Sequence, residues 1–372
     1  MSTKKPYLPE QAKPKTLIVG VKAPYNKTTN TESYFDEFRN LVKTNRVTYD
    51  AELFFNLRSI DSGFFFTKGK LEELKEFCDK EKVDEVIISE PLSPKQERNL
   101  KEILNVDGVY DRTNLILDIF EKAAKTTAGK LQVAIAQLKH NKSRLAGKGI
   151  HLAQQRGGIG IKGGIGETLK ERQRRLIDDE IQKLKKQLDK FHQARETQRK
   201  LRIGAQTPHI CLIGYTNAGK STILNALTKA DVLAEDKLFA TLDTTTRKLW
   251  IQGETRGVIS DTVGFIQLLP HHLVDAFKST LSELEYADLL LHVVDISDPN
   301  WESQIQVVHE ILQDLDVDKD MLYVFNKADK VTNLEELQTR LAQYQPHVVV
   351  SAVQKDGLKP LRSFLYNWKP VK

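Results

Sequence analysis

The sequence predicts an α/β protein in three segments. Two stretches alternate short apolar strands with helical patterns, and a long basic helical stretch separates them. The second alternating stretch has the layout of a doubly wound, mostly parallel sheet. The first reads as a smaller α/β domain, and the middle as a long antiparallel helical pair. A chain of 372 residues has room for two or three domains, and 40% apolar residues suffice for their cores.

Residues 1–13 read as a flexible amino terminus. The small α/β domain, 14–110, starts with the strand Thr16-Leu-Ile-Val-Gly-Val. Helical spacing follows from Ser33 to Val42, then from Lys70 to Lys80. Val83 to Ser89 is a short apolar strand ended by Pro91, and Pro94 to Leu104 is helical again.

Residues 111–205 change character. Ile177, Ile181, Leu184, Leu188 and Phe191 step by four, three, four and three, which is a heptad seam in need of a partner helix. Thr113 to His140, with Leu131, Ile135 and Leu138 at similar spacing, supplies that partner. The connection at 143–167 holds eight glycines with Arg144, Lys148, Arg156 and Lys162. That glycine density cannot support a helix, so a mobile, basic tip is expected. The segment carries 22 Lys and Arg against 10 Asp and Glu, a net +12, leaving −6 for the rest of a chain whose total is +6. Such asymmetry points to an anionic partner for the arm.

Residues 206–372 resume the alternation. Apolar strands are expected at His209 to Ile213, Val258 to Ser260, Leu289 to Val294, Leu322 to Phe325 and Val348 to Val350. No apolar run is long enough to span a bilayer, and the amino terminus lacks the apolar core of a signal peptide. Cys78 and Cys211 lie far apart in apolar contexts, so no disulfide is expected and a reducing cytosol is the simple reading. Adjacent His271 and His272 without further ligands do not make a zinc site.

The chemistry sits at the strand ends. Gly214-Tyr215-Thr216-Asn217-Ala218-Gly219-Lys220-Ser221 follows the first strand of the last segment, in the strand–turn–helix context of a phosphate loop. Its backbone N–H groups would converge on phosphates at the positive end of a helix. Lys220 would reach the β- and γ-phosphates, Ser221 would bind Mg²⁺, and Thr222 would border the same phosphates. Asp261-Thr-Val-Gly264 follows the next strand; Asp261 would hold Mg²⁺ and the Gly264 N–H would touch the γ-phosphate. Asn326-Lys327-Ala-Asp329 offers a carboxylate to the two adjacent N–H donors of guanine, a pair that adenine lacks. Ser351-Ala352 would support the base. These motifs define a GTP site and disfavour an ATPase.

Between the phosphate loop and Asp261 lies Leu238-Phe239-Ala-Thr241-Leu-Asp-Thr-Thr-Thr-Arg247. A threonine here should complete the Mg²⁺ shell in the GTP state. Thr241 is favoured, with Thr244, Thr245 and Thr246 as rivals, and Phe239 is added to the nucleotide contacts. Phe265 stands where Ras-like GTPases carry the glutamine that orients the attacking water. Slow intrinsic turnover is expected, with the water positioned by another group or by a bound partner.

The motifs together resemble the HflX family of the Obg–HflX group of P-loop GTPases. Phe66-Thr-Lys-Gly-Lys-Leu-Glu-Glu-Leu and Tyr110-Asp-Arg-Thr-Asn-Leu-Ile-Leu-Asp-Ile-Phe120 resemble its amino-terminal domain. Gly129-Lys-Leu-Gln-Val-Ala-Ile-Ala-Gln-Leu138 and the Gly157-Gly-Ile-Gly160 loop resemble its helical region. Asp261-Thr-Val-Gly-Phe-Ile266 and Ala287-Asp-Leu-Leu-Leu-His-Val-Val-Asp295 resemble its G domain.

The resemblance implies a cytoplasmic GTPase that uses Mg²⁺, with Lys220, Gly264 and Thr241 in catalytic roles. It also implies binding to the large ribosomal subunit and its RNA, to split or rescue idle or stalled ribosomes under stress. Arg144, Lys148, Arg156 and Lys162 are the RNA-contact candidates, and a monomer is expected. Two departures stand out: position 244 is Thr where the family usually has Pro, and the glycine-rich tip has Gly164-Ile165 in place of the usual Pro. The alternative readings are a GTP-switched module for a protein partner and an RNA-remodelling NTPase. No second phosphate loop lies upstream of residue 205.

Overall fold

A computed structural model describes residues 13–26, 30–145, 169–204, 207–228, 238–239, 242, 244–268, 273 and 283–370. The basic tip, with Lys148, Arg156 and Lys162, lies outside the described residues, as do Thr241, His271 and His272. The chain divides into two compact units: residues 1–26 with 46–112, and residues 27–45 with 113–372. The helix over Ser33 to Val42 therefore groups with the carboxy-terminal unit.

In the first unit, β1 (Thr16–Lys22), β2 (Ala51–Asn56), β3 (Glu85–Ile88) and β4 (Gly108–Tyr110) form a parallel sheet in the order β2-β1-β3-β4. The crossovers carry α2 (Lys68–Glu81) and α3 (Pro94–Leu104). Ser93 caps α3 through a reciprocal box with Gln96, and Pro94 presets the first turn. Leu17, Val19, Val86 and Ile88 of the sheet pack on Leu74 and Leu100 of the helices.

The second unit begins with α1 (Thr31–Thr44), capped by Asn30, whose side chain accepts from the Ser33 N–H. The helical stretch expected from Thr113 to His140 is two helices, α4 (Arg112–Ala123) and α5 (Thr127–Leu145). α5 packs against α6 (Leu169–Gly204). Their seam joins Ala128, Leu131, Ile135 and Leu138 to Ile177, Ile181, Leu184 and Leu188, and Lys142 pairs with Asp178. Phe191 does not belong to it. Its side chain is 41% exposed, because α5 starts only at Thr127 and offers nothing opposite a residue beyond Leu188.

The larger sheet runs β10-β9-β8-β5-β7-β6. Its members are β5 (His209–Gly214), β6 (Thr245–Ile251), β7 (Glu254–Asp261), β8 (Leu289–Asp295), β9 (Met321–Asn326) and β10 (His347–Val349). Only β6 is antiparallel, joined to β7 by a hairpin turn at Gln252-Gly253. Helices α7 (Lys220–Leu227), α8 (Trp301–Asp314), α9 (Leu334–Leu341) and α10 (Lys359–Asn367) complete it. Separate apolar clusters cover the faces of the sheet, one led by Ile210, Leu224, Leu291 and Leu361, another by Cys211, Ile213, Leu290 and Val308. The carboxyl ends of β5, β7, β8 and β9 are thus brought side by side, where a doubly wound sheet binds its ligand.

Candidate active site

The turn from β5 into α7 carries the phosphate loop. Gly219 adopts φ +99°, and a β-carbon there would lie 2.2 Å from Asn326 Nδ2, so only glycine fits. Gly214 to Thr216 and Ala218 are buried, Asn217 is exposed, and Thr222 is half-buried on α7. Lys220 Nζ curls back to donate to the carbonyls of Gly214 and Tyr215, at 3.0 and 2.8 Å. Burial pushes its pKa down to about 8, with the charge of Asp261 pulling the other way. An ammonium held by two carbonyls inside a loop of N–H donors is poised for phosphate oxygens.

Ser221 Oγ donates to Asp261 Oδ2 at 2.6 Å. The two groups come from different elements, α7 and the end of β7, and both are hard oxygen donors. Such a pair suits a small divalent cation that takes oxygen ligands.

The segment after Asp261 is held on the phosphate loop. Phe265 N–H donates to Gly214 O at 3.1 Å, and Thr216 N–H donates to Phe265 O at 2.7 Å. Between them, a β-carbon on Gly264 would lie 2.9 Å from Thr216 Cα and 3.0 Å from Lys220 Nζ. The Phe265 ring is 2% exposed and packs in the core with Ile213, Leu290 and Val308. It points away from the phosphate cradle.

The guanine motif is bolted to the phosphate loop through Asn326. Its carboxamide donates to Ala218 O at 2.9 Å and accepts from Ala352 N–H at 3.0 Å. Ser351 Oγ donates to Asp329 Oδ1 at 2.5 Å, and Lys327 Nζ pairs with Asp295 Oδ2 at 2.6 Å. One unit therefore assembles Ala218, Asn326, Lys327, Asp329, Ser351 and Ala352. A cavity of ≈ 640 Å³ runs past Thr216, Asn217, Asp295 and Lys327.

Two of the rival threonines have other placements. Thr245 and Thr246 lie in β6, opposite Asp261 and Ser260, and the Thr246 hydroxyl meets Ser260 Oγ at 2.8 Å. Phe239 is buried edge-on against Phe120 of α4, with centroids 4.7 Å apart, while Leu238 lines the cavity.

Sequence reasoning missed the role of α1. Asn30 and Asn300 exchange two hydrogen bonds of 3.1 Å, and Ser33 Oγ donates to Asp298 at 2.9 Å. The Tyr215 hydroxyl donates to Glu37 and accepts from the Gln267 N–H at 2.7 Å. α1 thus forms one wall of the cavity. It missed Asp295 as the partner of Lys327 as well, although that acid ends the apolar strand Leu289–Asp295 and so carried the same strand-end signal as Asp261.

A mostly parallel sheet with a phosphate loop after its first strand, an aspartate at the end of the neighbouring parallel strand and an Asn-Lys-x-Asp turn further on defines a P-loop GTPase. Comparisons with known proteins narrow the class. Residues 209–327 match the model of a 50S ribosome-binding GTPase family. Residues 32–121 and 123–202 match those of the GTP-binding GTPase N-terminal and middle regions. GTPase HflX of Magnetococcus marinus is 44% identical over 331 residues, covering 89% of this chain and 76% of the relative. GTPase HflX of Escherichia coli is 41% identical over 319 residues, covering 86% and 74%. A GTP-binding protein from Sulfolobus solfataricus, solved with GDP, is 25% identical with a TM-score of 0.44 over 95% of this chain and 97% of that one. The chain belongs to the HflX family of GTPases.

Proposed function

We propose that this GTPase acts on the large ribosomal subunit, splitting or rescuing idle or stalled ribosomes, and that the ribosome stimulates its hydrolysis. The observation that carries the reading is the position of Phe265. The residue after Gly264 is a core anchor, so no side chain there orients water, and a slow enzyme that waits for its partner follows. The family description of residues 209–327 as a 50S ribosome-binding GTPase supports the choice of partner. So does the net +12 of residues 111–205, since phosphate contacts add affinity by releasing counterions. Arg144 lies in the last turn of α5, just before the basic tip in the sequence.

In this reading the phosphate loop binds the triphosphate through its backbone N–H groups, and Lys220 bridges the β- and γ-phosphates. Ser221 and Asp261 would hold Mg²⁺, with Thr241 as a third protein ligand. Once bound, the ion would supply positive charge to stabilise the phosphates. Gly264 N–H contacts the γ-phosphate, and Asp329, with Lys327 and the Ser351-Ala352 turn, selects guanine. The protein works in the cytoplasm as a monomer, with no disulfide. Cys78 and Cys211 are both buried, and no described helix is long and apolar enough to cross a membrane.

Co-sedimentation with large subunits in a non-hydrolysable GTP analogue, GDP or ATP tests the proposal, with hydrolysis measured with and without subunits. Pelleting that ignores the nucleotide, with no stimulation, refutes it. A second reading, an arm for a protein partner, draws on Leu176, which is 59% exposed on α6. Salt separates the two: RNA binding weakens steeply with salt, less so once Arg156 and Lys162 are neutralised.

A further inference from the structure

We propose that the Thr216 hydroxyl orients the attacking water, the task that Phe265 cannot perform. The inference deepens the reading of the phosphate loop given above and rests on it.

Several polar side chains around the phosphate cradle have partners within the protein. Ser221 Oγ is engaged by Asp261, Lys220 Nζ by two carbonyls, Thr262 Oγ1 by Leu212 O and the Tyr215 hydroxyl by Glu37 and Gln267. Thr216 Oγ1 is different: it is buried and has no hydrogen-bond partner among the described residues, in a side chain only 7% exposed. A buried hydroxyl without a partner destabilises the ligand-free protein, and a bound species that supplies the partner removes the penalty.

Its place says which species. The Thr216 N–H is fixed by the Phe265 carbonyl, so the residue is held on the side of the loop that faces Gly264. The position of a β-carbon on Gly264 is 2.9 Å from Thr216 Cγ2 and 3.0 Å from Lys220 Nζ. Gly264, Lys220 and the Thr216 side chain therefore converge on the edge of the cradle that, in the reading above, holds the γ-phosphate. Thr216 also borders the cavity that opens past Asn217, so solvent has a route to the point of attack.

A threonine hydroxyl is too weak a base to take the water proton, but it donates one hydrogen bond and can accept two. Thr216 Oγ1 accepts from the water and leaves a lone pair facing phosphorus. The water oxygen bonds to the γ-phosphorus, the bond to the β–γ bridging oxygen breaks, and the water proton passes to a γ-phosphate oxygen. Binding of the ground state does not use this contact, so its loss lowers the rate of the chemical step and spares affinity.

The test is single-turnover hydrolysis by the free full-length chain carrying Thr216→Val, Thr216→Ala or Thr216→Ser, with fluorescent GDP and a non-hydrolysable GTP analogue titrated in parallel. Val and Ala are expected to slow hydrolysis at least about tenfold with both affinities within about twofold of wild type, while Ser stays within about threefold. The Ala variant keeps the test open if Val fails to fold. Unchanged rates in Val and Ala overturn the proposal. So does a selective loss of analogue affinity, which would make the hydroxyl a ground-state phosphate contact, or a Ser variant as slow as Val. Lys220→Ala separates the two levels of failure. If it binds both nucleotides normally, the phosphate-loop reading itself is wrong; if it abolishes binding while Thr216→Val is silent, only the role of Thr216 falls.

Discussion

Asn326→Ala removes a side chain that ties the guanine motif to the phosphate loop. The residue is 2% exposed, donates to Ala218 O at 2.9 Å and accepts from Ala352 N–H at 3.0 Å. Truncation leaves the buried Ala218 carbonyl and the half-buried Ala352 N–H without that partner, at about 1–3 kcal/mol for the first and less for the second, so about 2–4 kcal/mol in all. The three tryptophans, Trp250, Trp301 and Trp368, all lie in the carboxy-terminal segment. Urea unfolding followed by their fluorescence therefore reads the domain that carries the contact. Asn326→Asp keeps the acceptor for Ala352 but sets a carboxylate against the Ala218 carbonyl, and is expected to destabilise at least as much. GDP and GTP analogue should lose affinity together, because neither hydrogen bond lies at the γ-phosphate. An Asp variant as stable as wild type, or a loss confined to GTP, refutes the reasoning.

Asp329→Asn should move base preference from guanine towards xanthine nucleotides in competition titrations; an unaltered preference removes the basis for guanine selection. Tyr215→Phe and Glu37→Gln should each destabilise by about 2 kcal/mol, and their double variant by little more, because both remove one charge-assisted hydrogen bond; additive losses in urea unfolding argue against that bond. His292 is fully buried, and burial, with His309 and Lys220 nearby, pushes its pKa down to about 3. The folded value lies below the ordinary 6.5, so the stability is present above 6.5 and lost as pH falls towards 3. About 2 kcal/mol should be gone at pH 5, and His292→Phe should blunt that loss; an equal loss in the variant excludes His292 as its source. Phe265→Gln should cost about 3 kcal/mol or more of stability and leave hydrolysis no faster, since the side chain points into the core; faster single-turnover hydrolysis would show that the amide reaches the nucleotide.

The strands that carry the nucleotide motifs were legible because each has a mainly apolar stretch that leads into its motif. β5 and β8 are buried almost throughout, which is what a strand covered on both faces requires. β2, β4 and β6 were not legible. They are edge strands of mixed polarity or only three residues long, so none stands out as an apolar run. The heptad spacing locates the helical seam from Ile177 to Leu188 and extends one step beyond it, to Phe191. Heptad spacing describes one helix, whereas burial depends on where its partner begins. The α1 wall was invisible for another reason. Tyr215 and Glu37 are 178 residues apart, and no periodicity or spacing links a phosphate loop to a helix at that separation.

Phe265 joins the legible and the illegible. The sequence shows a missing glutamine, which is a statement about what the site lacks. The structure shows what the phenylalanine adds. Its ring is buried among Ile213, Leu290 and Val308, and its backbone pairs with Gly214 and Thr216, so the segment that carries Gly264 is packed as part of the core. A solvent-facing glutamine would leave that segment freer and would orient water by itself. Anchoring the segment surrenders that side chain but holds Gly264 against Lys220 and Thr216 at fixed distances, and preorganised groups need no rearrangement at the moment of reaction. The polar group that handles water must then come from the phosphate loop, and Thr216 is the residue that the anchored segment touches.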